Sequence, residues 1–270
     1  EYPRLIIEAV EPQVDGGRFP IKRVVGERVT VSADIYKEGH DKLAAVLKAR
    51  PVGDREWQES PMTQGDNDRW FGDFTVDSIG RWEYTIEAYA ERYLSWVDEI
   101  GKKSVPGADL KSELLEGLVI LKKSAALAEG EDRGRMESII NAIETALAAG
   151  EQRGAIDLGI GKVMNSMMAT YPDRSEGYQL APALTVMVNR PITRFAAWYE
   201  FFPRSQGTVP YRHGTLQDSI RRLPAIKKMG FNVVYLPPIH PIGYRFRKGK
   251  NNSLVTVPGD VGSPWAIGNK

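Results

Sequence analysis

The sequence predicts a multidomain chain: an all-β, immunoglobulin-like sandwich with an inserted α-helical bundle, followed by a parallel β-α-β unit. Three observations predict it. Residues 1 to about 100 hold short stretches in which every second side chain is apolar, divided by Gly, Pro, Asn and Asp, which is the pattern of two-layer strand folds. After about residue 104 the apolar spacing becomes helical. Past residue 194, two short apolar runs flank a helical stretch, and a crossover of that kind makes its two strands parallel.

The strands come first. Leu5-Ile6-Ile7 is a short apolar run, followed by Pro12 and Gly16-Gly17. Val29, Val31, Ala33 and Ile35 share one face of the next strand. Leu43 to Ala49 gives another, closed by Pro51. Asp66-Asn67-Asp68 is turn chemistry before Trp70 to Val76, and Gly80 opens the alternating run Arg81 to Tyr89. Trp57, Trp70 and Trp82 are expected to fill or edge the core rather than stack on sugars, because indole is a large apolar payload.

Three helices are expected next. Leu110, Leu114, Leu115, Leu118, Leu121 and Ala125 form one stripe. Met136, Ile139, Ile140, Ile143 and Leu147 form the second, with Gly150 as its stop. Ile156 to Ala169 forms the third, where Met164, Met167 and Met168 read as core filling. Strand character returns from Ala183 to Pro191. A lone strand after a bundle cannot bury itself, so it is expected to rejoin the first sheet domain. The expected domains are 1–103, the sandwich; 104–181, the inserted bundle; 182–193, the returning strand; and 194–270, a separate β-α-β unit.

In that last part, Phe195, Trp198, Tyr199, Phe201 and Phe202 make an aromatic strand. Thr215 and Asp218 match a capping box, Pro224 should kink or divide the helix, and Gly230 ends it. Val233 to Leu236 is nearly all apolar, as expected for a strand covered on both faces.

Bulk properties narrow the function. With 42% hydrophobic and 26% charged residues in 270, the chain has material for real cores. Its net charge of +1, without long like-charge blocks, gives no reason to expect nucleic acid or a membrane surface as partner. No apolar stretch approaches the length of a membrane span, and Glu1 to Leu5 does not read as a signal peptide. The absence of cysteine excludes disulfides and thiolate metal sites and fits a cytoplasmic location. His40, His213 and His240 lack metal-ligand spacing, and no glycine-rich phosphate loop occurs, so no cofactor is expected.

Trp198 to Ser205, Gly214-Thr215-Leu216, Arg222-Leu223-Pro224 and Met229 to Gly243 together resemble the opening of an α-amylase-type (β/α)8 TIM barrel. Arg247-Lys248-Gly249-Lys250-Asn251-Asn252-Ser253-Leu254, then Gly262-Ser263-Pro264-Trp265-Ala266-Ile267-Gly268, narrow the resemblance to the α-1,4-glucan:maltose-1-phosphate maltosyltransferases of glycoside hydrolase family 13. It implies retaining transfer of maltosyl units from α-maltose 1-phosphate to the non-reducing end of α-1,4-glucans, by a homodimer. It further implies that residues 194–270 are the start of a barrel truncated at Lys270, since a whole barrel takes about 250 residues. The nucleophilic Asp and acid/base Glu would then lie beyond residue 270, leaving this stretch inactive alone.

By the same resemblance Lys248 contacts the donor. The Asn252 amide, close by in sequence, is a second substrate-binding candidate because it can hydrogen-bond sugar hydroxyls, while Asn-Asn is equally an ordinary turn pair. An ammonium offers three donors to sugar hydroxyls, or charge to a phosphate. Among the acids, Glu200 reads as a buried structural carboxylate, Asp218 as a helix cap and Asp260 as a solvated turn residue; His240 reads as structural. Two alternatives remain: a non-catalytic glucan-binding or dimerisation module, and part of a hydrolytic α-amylase relative. Unpaired parallel strands serve a binding module poorly.

Overall fold

Alternation decides which strands form and which faces they bury. In the computed structural model, which describes residues 5–105 and 107–265, eight strands come first. They are β1 (Leu5–Glu11), β2 (Ile21–Val24), β3 (Arg28–Lys37), β4 (Leu43–Pro51), β5 (Gln58–Pro61), β6 (Thr63–Gln64), β7 (Arg69–Thr75) and β8 (Gly80–Ala90). On β3, Val29, Val31, Ala33 and Ile35 are fully buried while their neighbours are half-buried or exposed. β1 changes parity midway: Leu5 and Ile7 point inward, and then so does Val10. A register shift between Glu8 and Glu11, with Ala9 at φ 47°, supplies the extra residue of a bulge.

Two sheets result. One has the order β1-β3-β7-β6. The other runs β2-β10-β8-β4-β5, where β10 is Leu184–Asn189, and β9 (Tyr178–Gln179) also pairs with β8. β10 lies parallel to β2 and antiparallel to β8. Leu184, Val186 and Val188 face inward and join one buried cluster with Val31 and Ile35 of the first sheet and Leu47, Trp82 and Ile86 of the second. Full burial contributes about 1.5–3 kcal/mol for each large apolar side chain. Trp70 and Trp82 are core residues, their Nε1 atoms donating to the carbonyls of Ile35 and Ser78. Trp57 is half-buried under the Arg50 guanidinium, 4.0 Å from the ring centre.

Between β8 and β9, the described residues form five helices, not the three that the spacing predicts: α1 (Arg92–Lys103), α2 (Lys111–Leu127), α3 (Gly130–Ala148), α4 (Gln152–Gly159) and α5 (Lys162–Thr170). α1 occupies sequence assigned to the strand region. It follows β8 after a single residue, and Glu91 caps it by accepting from Leu94 N at 2.9 Å. The third expected helix divides into α4 and α5 because Gly161 adopts an extended conformation there. Trp96, Leu114, Leu121, Ile143, Met164, Met167 and Met168 share a second buried cluster. Among the described residues, no helix is long and apolar enough to cross a membrane.

Residues 190–270 form a separate compact unit. β11 (Trp198–Glu200) pairs in parallel with β12 (Val233–Tyr235), with Tyr199 opposite Val234. α6 (Leu216–Ile220) and α7 (Leu223–Lys228) lie between them in sequence. Thr215 and Asp218 form the capping box, and Pro224 sits in the first turn of α7, so the helical stretch is divided there. β12 is not covered on both faces: Val233 and Val234 are half-buried and Tyr235 is exposed. The aromatic strand is also shorter than expected, and Phe195 and Trp198 are exposed. Two short strands and two short helices offer too little apolar surface to cover more.

Candidate functional site

The chain after β12 has little regular structure, so side chains and backbone polar groups must fix its shape. Arg247 does most of this. Its guanidinium donates to the carbonyls of Gly243 (Nε, 2.9 Å), Asp260 (Nη1, 3.0 Å) and Ile242 (Nη2, 2.8 Å). It also lies over the Tyr244 ring. A rigid planar fork reaches three separated carbonyls from three different nitrogens, whereas a lysine ammonium offers its three donors from a single point. Asp260 closes the other end: its carboxylate accepts from Val257 N at 2.8 Å, and its own N–H donates to the Val257 carbonyl at 3.1 Å. It is therefore buried, not the solvated turn residue that its Pro-Gly-Asp setting suggests.

Between these clamps the backbone turns tightly. Gly249 N donates to the Ser253 carbonyl, and Ser253 N to that of Lys250. A Cβ on Gly249 would come within 2.2 Å of the Val255 carbonyl oxygen, so only glycine fits. Asn251 and Asn252 both take left-handed conformations, at φ 52° and 61°, which asparagine tolerates better than most residues.

The turn places Lys248 and Asn252 on one cleft of about 640 Å³, together with Phe202, Asp260 and Trp265. A second cleft of about 590 Å³ shares Phe202 and Asp260 and adds Arg204, His213 and Arg247. Lys248 is half-buried and has no acid partner among the described residues. Asp260 is the only carboxylate lining either cleft among those residues, against Arg204, Arg247, Lys248 and Lys250. The rim is therefore cationic, suited to an anionic or hydroxyl-rich ligand.

The other residues weighed from sequence are dispersed. Glu200 is exposed on β11 rather than buried, because β12 is the one strand beside it among the described residues. The Asp218 carboxyl is spent on the α6 cap. His240 is exposed and lines neither cleft. Among the described residues, no cluster of His, Cys, Asp or Glu could hold a metal ion. His213, Arg204 and the three-carbonyl role of Arg247 escaped the sequence reading. Spacing carries no sign of contacts between segments this far apart. Ala266, Ile267 and Gly268 of the second motif lie outside the described residues.

Residues 3–190 match a family profile described as α-1,4-glucan:maltose-1-phosphate maltosyltransferase, domain N/S. Curated proteins bearing that enzyme name are similar along nearly the whole chain. The one from Myxococcus xanthus is 43% identical over 268 residues, covering 98% of this chain and 40% of that protein. Those from Rhodospirillum rubrum and Chlorobaculum tepidum are 41% and 40% identical, again over 98% of this chain and over 40% and 39% of theirs. The chain thus spans about 40% of the length of the relatives it matches.

Proposed function

This chain belongs to the α-1,4-glucan:maltose-1-phosphate maltosyltransferase family, and from that premise we propose that it is the N-terminal part of an enzyme extending α-1,4-glucans with maltosyl units from α-maltose 1-phosphate. The observation that carries the donor reading is the cationic cleft in which Lys248 lacks an acid partner. Lys248 meets the phosphate or the hydroxyls of the donor, and Asn252 hydrogen-bonds sugar hydroxyls from the same turn.

The reaction needs two further carboxyls about 5 Å apart, and they belong to the part of the enzyme that this sequence does not span. One attacks the anomeric carbon as phosphate leaves, forming a glycosyl-enzyme. The other takes the proton from the glucan hydroxyl that attacks next, so the chain grows by one maltosyl unit.

On this reading the two sheets are an immunoglobulin-like sandwich. The bundle is an insertion beginning at Arg92, and residues 194–270 open a (β/α)8 barrel of the glycoside hydrolase family 13 type. The parallel pairing of β11 with β12 supports the barrel, and the return of β10 between β2 and β8 supports the insertion. The family resemblance adds a homodimer, which sedimentation of the full-length enzyme tests.

The deciding assay incubates full-length enzyme with α-maltose 1-phosphate and a short linear maltooligosaccharide. Phosphate release matched by products two glucose units longer is expected. Free maltose without lengthening would sink the transferase reading in favour of hydrolysis. Lys248→Ala should cut kcat/KM for the donor about tenfold or more, the scale of one lost hydrogen bond to a charged group.

A further inference from the structure

Two connections join the bundle to the strands: Ala90 to Arg92 on the way in, and Tyr171 to Gly177 on the way back. Both line one cavity of about 170 Å³, whose remaining wall comes from Tyr89 of β8, Tyr93 of α1, and helices α2 and α5. Cavities at such joints are where small-molecule sites concentrate. This one is smaller than the ~300–1,000 Å³ of sites for drug-sized ligands, yet several times the ~30 Å³ share of one water.

Its chemistry is selective. Among the described residues, Ser124 Oγ is the one buried side-chain polar atom without a hydrogen-bond partner, and Ser124 lines this cavity. Buried hydroxyls are rarely left unpaired in native folds. The Glu91 carboxyl also lines it, and burial raises that group above the ordinary carboxylate range. Both cations on the lining are already paired, Arg92 with Glu176 and Lys123 with Asp173 (3.5 Å). No cation is left over for an anionic ligand. Val119, Ile120, Met168 and Pro172 supply an apolar wall.

A ligand with a ring of hydroxyls and one apolar C–H face matches these walls. We propose that this joint binds a single neutral pyranose ring, as a free sugar or as the end of a glucan chain. The ring's hydroxyls meet Ser124, Glu91 and Asp173, and its C–H face lies on the apolar wall. The site stands independently of the transfer reaction, since none of these residues belongs to the cationic clefts.

Hydrogen exchange on the full-length enzyme tests it, with glucose and maltoheptaose as separate probes. Exchange across residues 89–93 and 171–173 should slow on titration, about tenfold at ten times Kd where local opening requires an empty site. Ser124→Leu fills the cavity and should abolish the effect. Val119→Trp narrows the mouth from an exposed position and should do the same with the parent's melting temperature retained. Protection by glucose alone assigns the free sugar, and protection by maltoheptaose assigns the chain end. No change with either probe, or protection that survives in both variants, overturns the site and leaves only water in the cavity. Loss of transferase activity would leave this readout untouched, so the two readings fail separately.

Discussion

Gly117 of α2 faces the indole of Trp96 on α1 so closely that a Cβ there would sit 2.3 Å from Trp96 Cζ2. Gly159 approaches the same ring from α4, where a Cβ would come within 2.9 Å. The indole is held in place, since its Nε1 donates to the Glu113 carbonyl at 2.7 Å. Gly117→Ala is therefore expected to destabilise the fold. Overpacking costs about 1–3 kcal/mol, more than the about 1 kcal/mol by which alanine favours a helix. Exposed Gly134 on α3 has nothing within 4 Å of its would-be Cβ, so Gly134→Ala should stabilise by about 0.5–1 kcal/mol. Thermal melts of the full-length enzyme read both signs. A Gly117→Ala protein melting above its parent would refute the packing account.

Arg247 separates geometry from charge. Arg247→Lys keeps the cation but cannot hold the carbonyls of Ile242, Gly243 and Asp260 together. If the turn positions Lys248 for the donor, the variant should raise KM for maltose 1-phosphate about tenfold, on the scale of one lost charge-assisted hydrogen bond. Steady-state kinetics decide: full activity in Arg247→Lys would mean that the clasp has no bearing on the site.

The α6 cap should show in acid. The Asp218 carboxyl accepts the Thr215 backbone N–H and hydroxyl, with Arg221 beside it, and these hold it below its ordinary range. Its folded value lies below its unfolded one, so its stabilisation is present above an unfolded value of about 3.9. That stabilisation fades as pH falls through the lower folded value. Asp218→Ala should melt below the parent at pH 7, and the gap should shrink progressively on acidification below about pH 4. A gap constant across that range would assign the loss to packing instead.

The returning connection is tied to the second sheet by charge. Arg174 reaches Glu59 at 2.9 Å and Glu87 at 3.3 Å, and its guanidinium lies over the Tyr89 ring. Lys48 completes the group, 2.5 Å from Glu87 and 3.3 Å from Glu59. Arg174→Ala should cost about 1–3 kcal/mol in urea unfolding. Arg174→Lys should recover only part, because an ammonium lacks the planar face that lies over the Tyr89 ring. Full recovery by lysine would reduce the contact to simple charge.

Strands with one buried face were legible in the sequence because their period is two: Val29 to Ile35 and Leu184 to Val188 follow it without interruption. α1 was not, for two local reasons. Its buried Tyr93, Trp96 and Ile100 run on directly from the apolar end of β8, and its cap is Glu91 rather than Ser, Thr, Asp or Asn. In the candidate site, Lys248 came from a resemblance and Asn252 from its amide chemistry, and spacing alone gave no reason to join them. What brings them onto one cleft is a pair of left-handed asparagines and a guanidinium reaching back to carbonyls at 242 and 243 and forward to 260. Such contacts carry no period and leave no trace in composition.

The position of β10 has a consequence for synthesis. This strand separates β2 from β8, yet it is encoded after the whole bundle. A ribosome adding about 5–20 residues per second needs on the order of five to twenty seconds to pass from the end of β8 to β10. Throughout that interval the emerging polypeptide shows an open β8 margin to its surroundings, and β2 has no neighbour to hold. The bundle can mature within the wait. The strands it interrupts cannot, so chaperone occupancy on stalled translation intermediates should peak while the ribosome traverses codons 91 to 189.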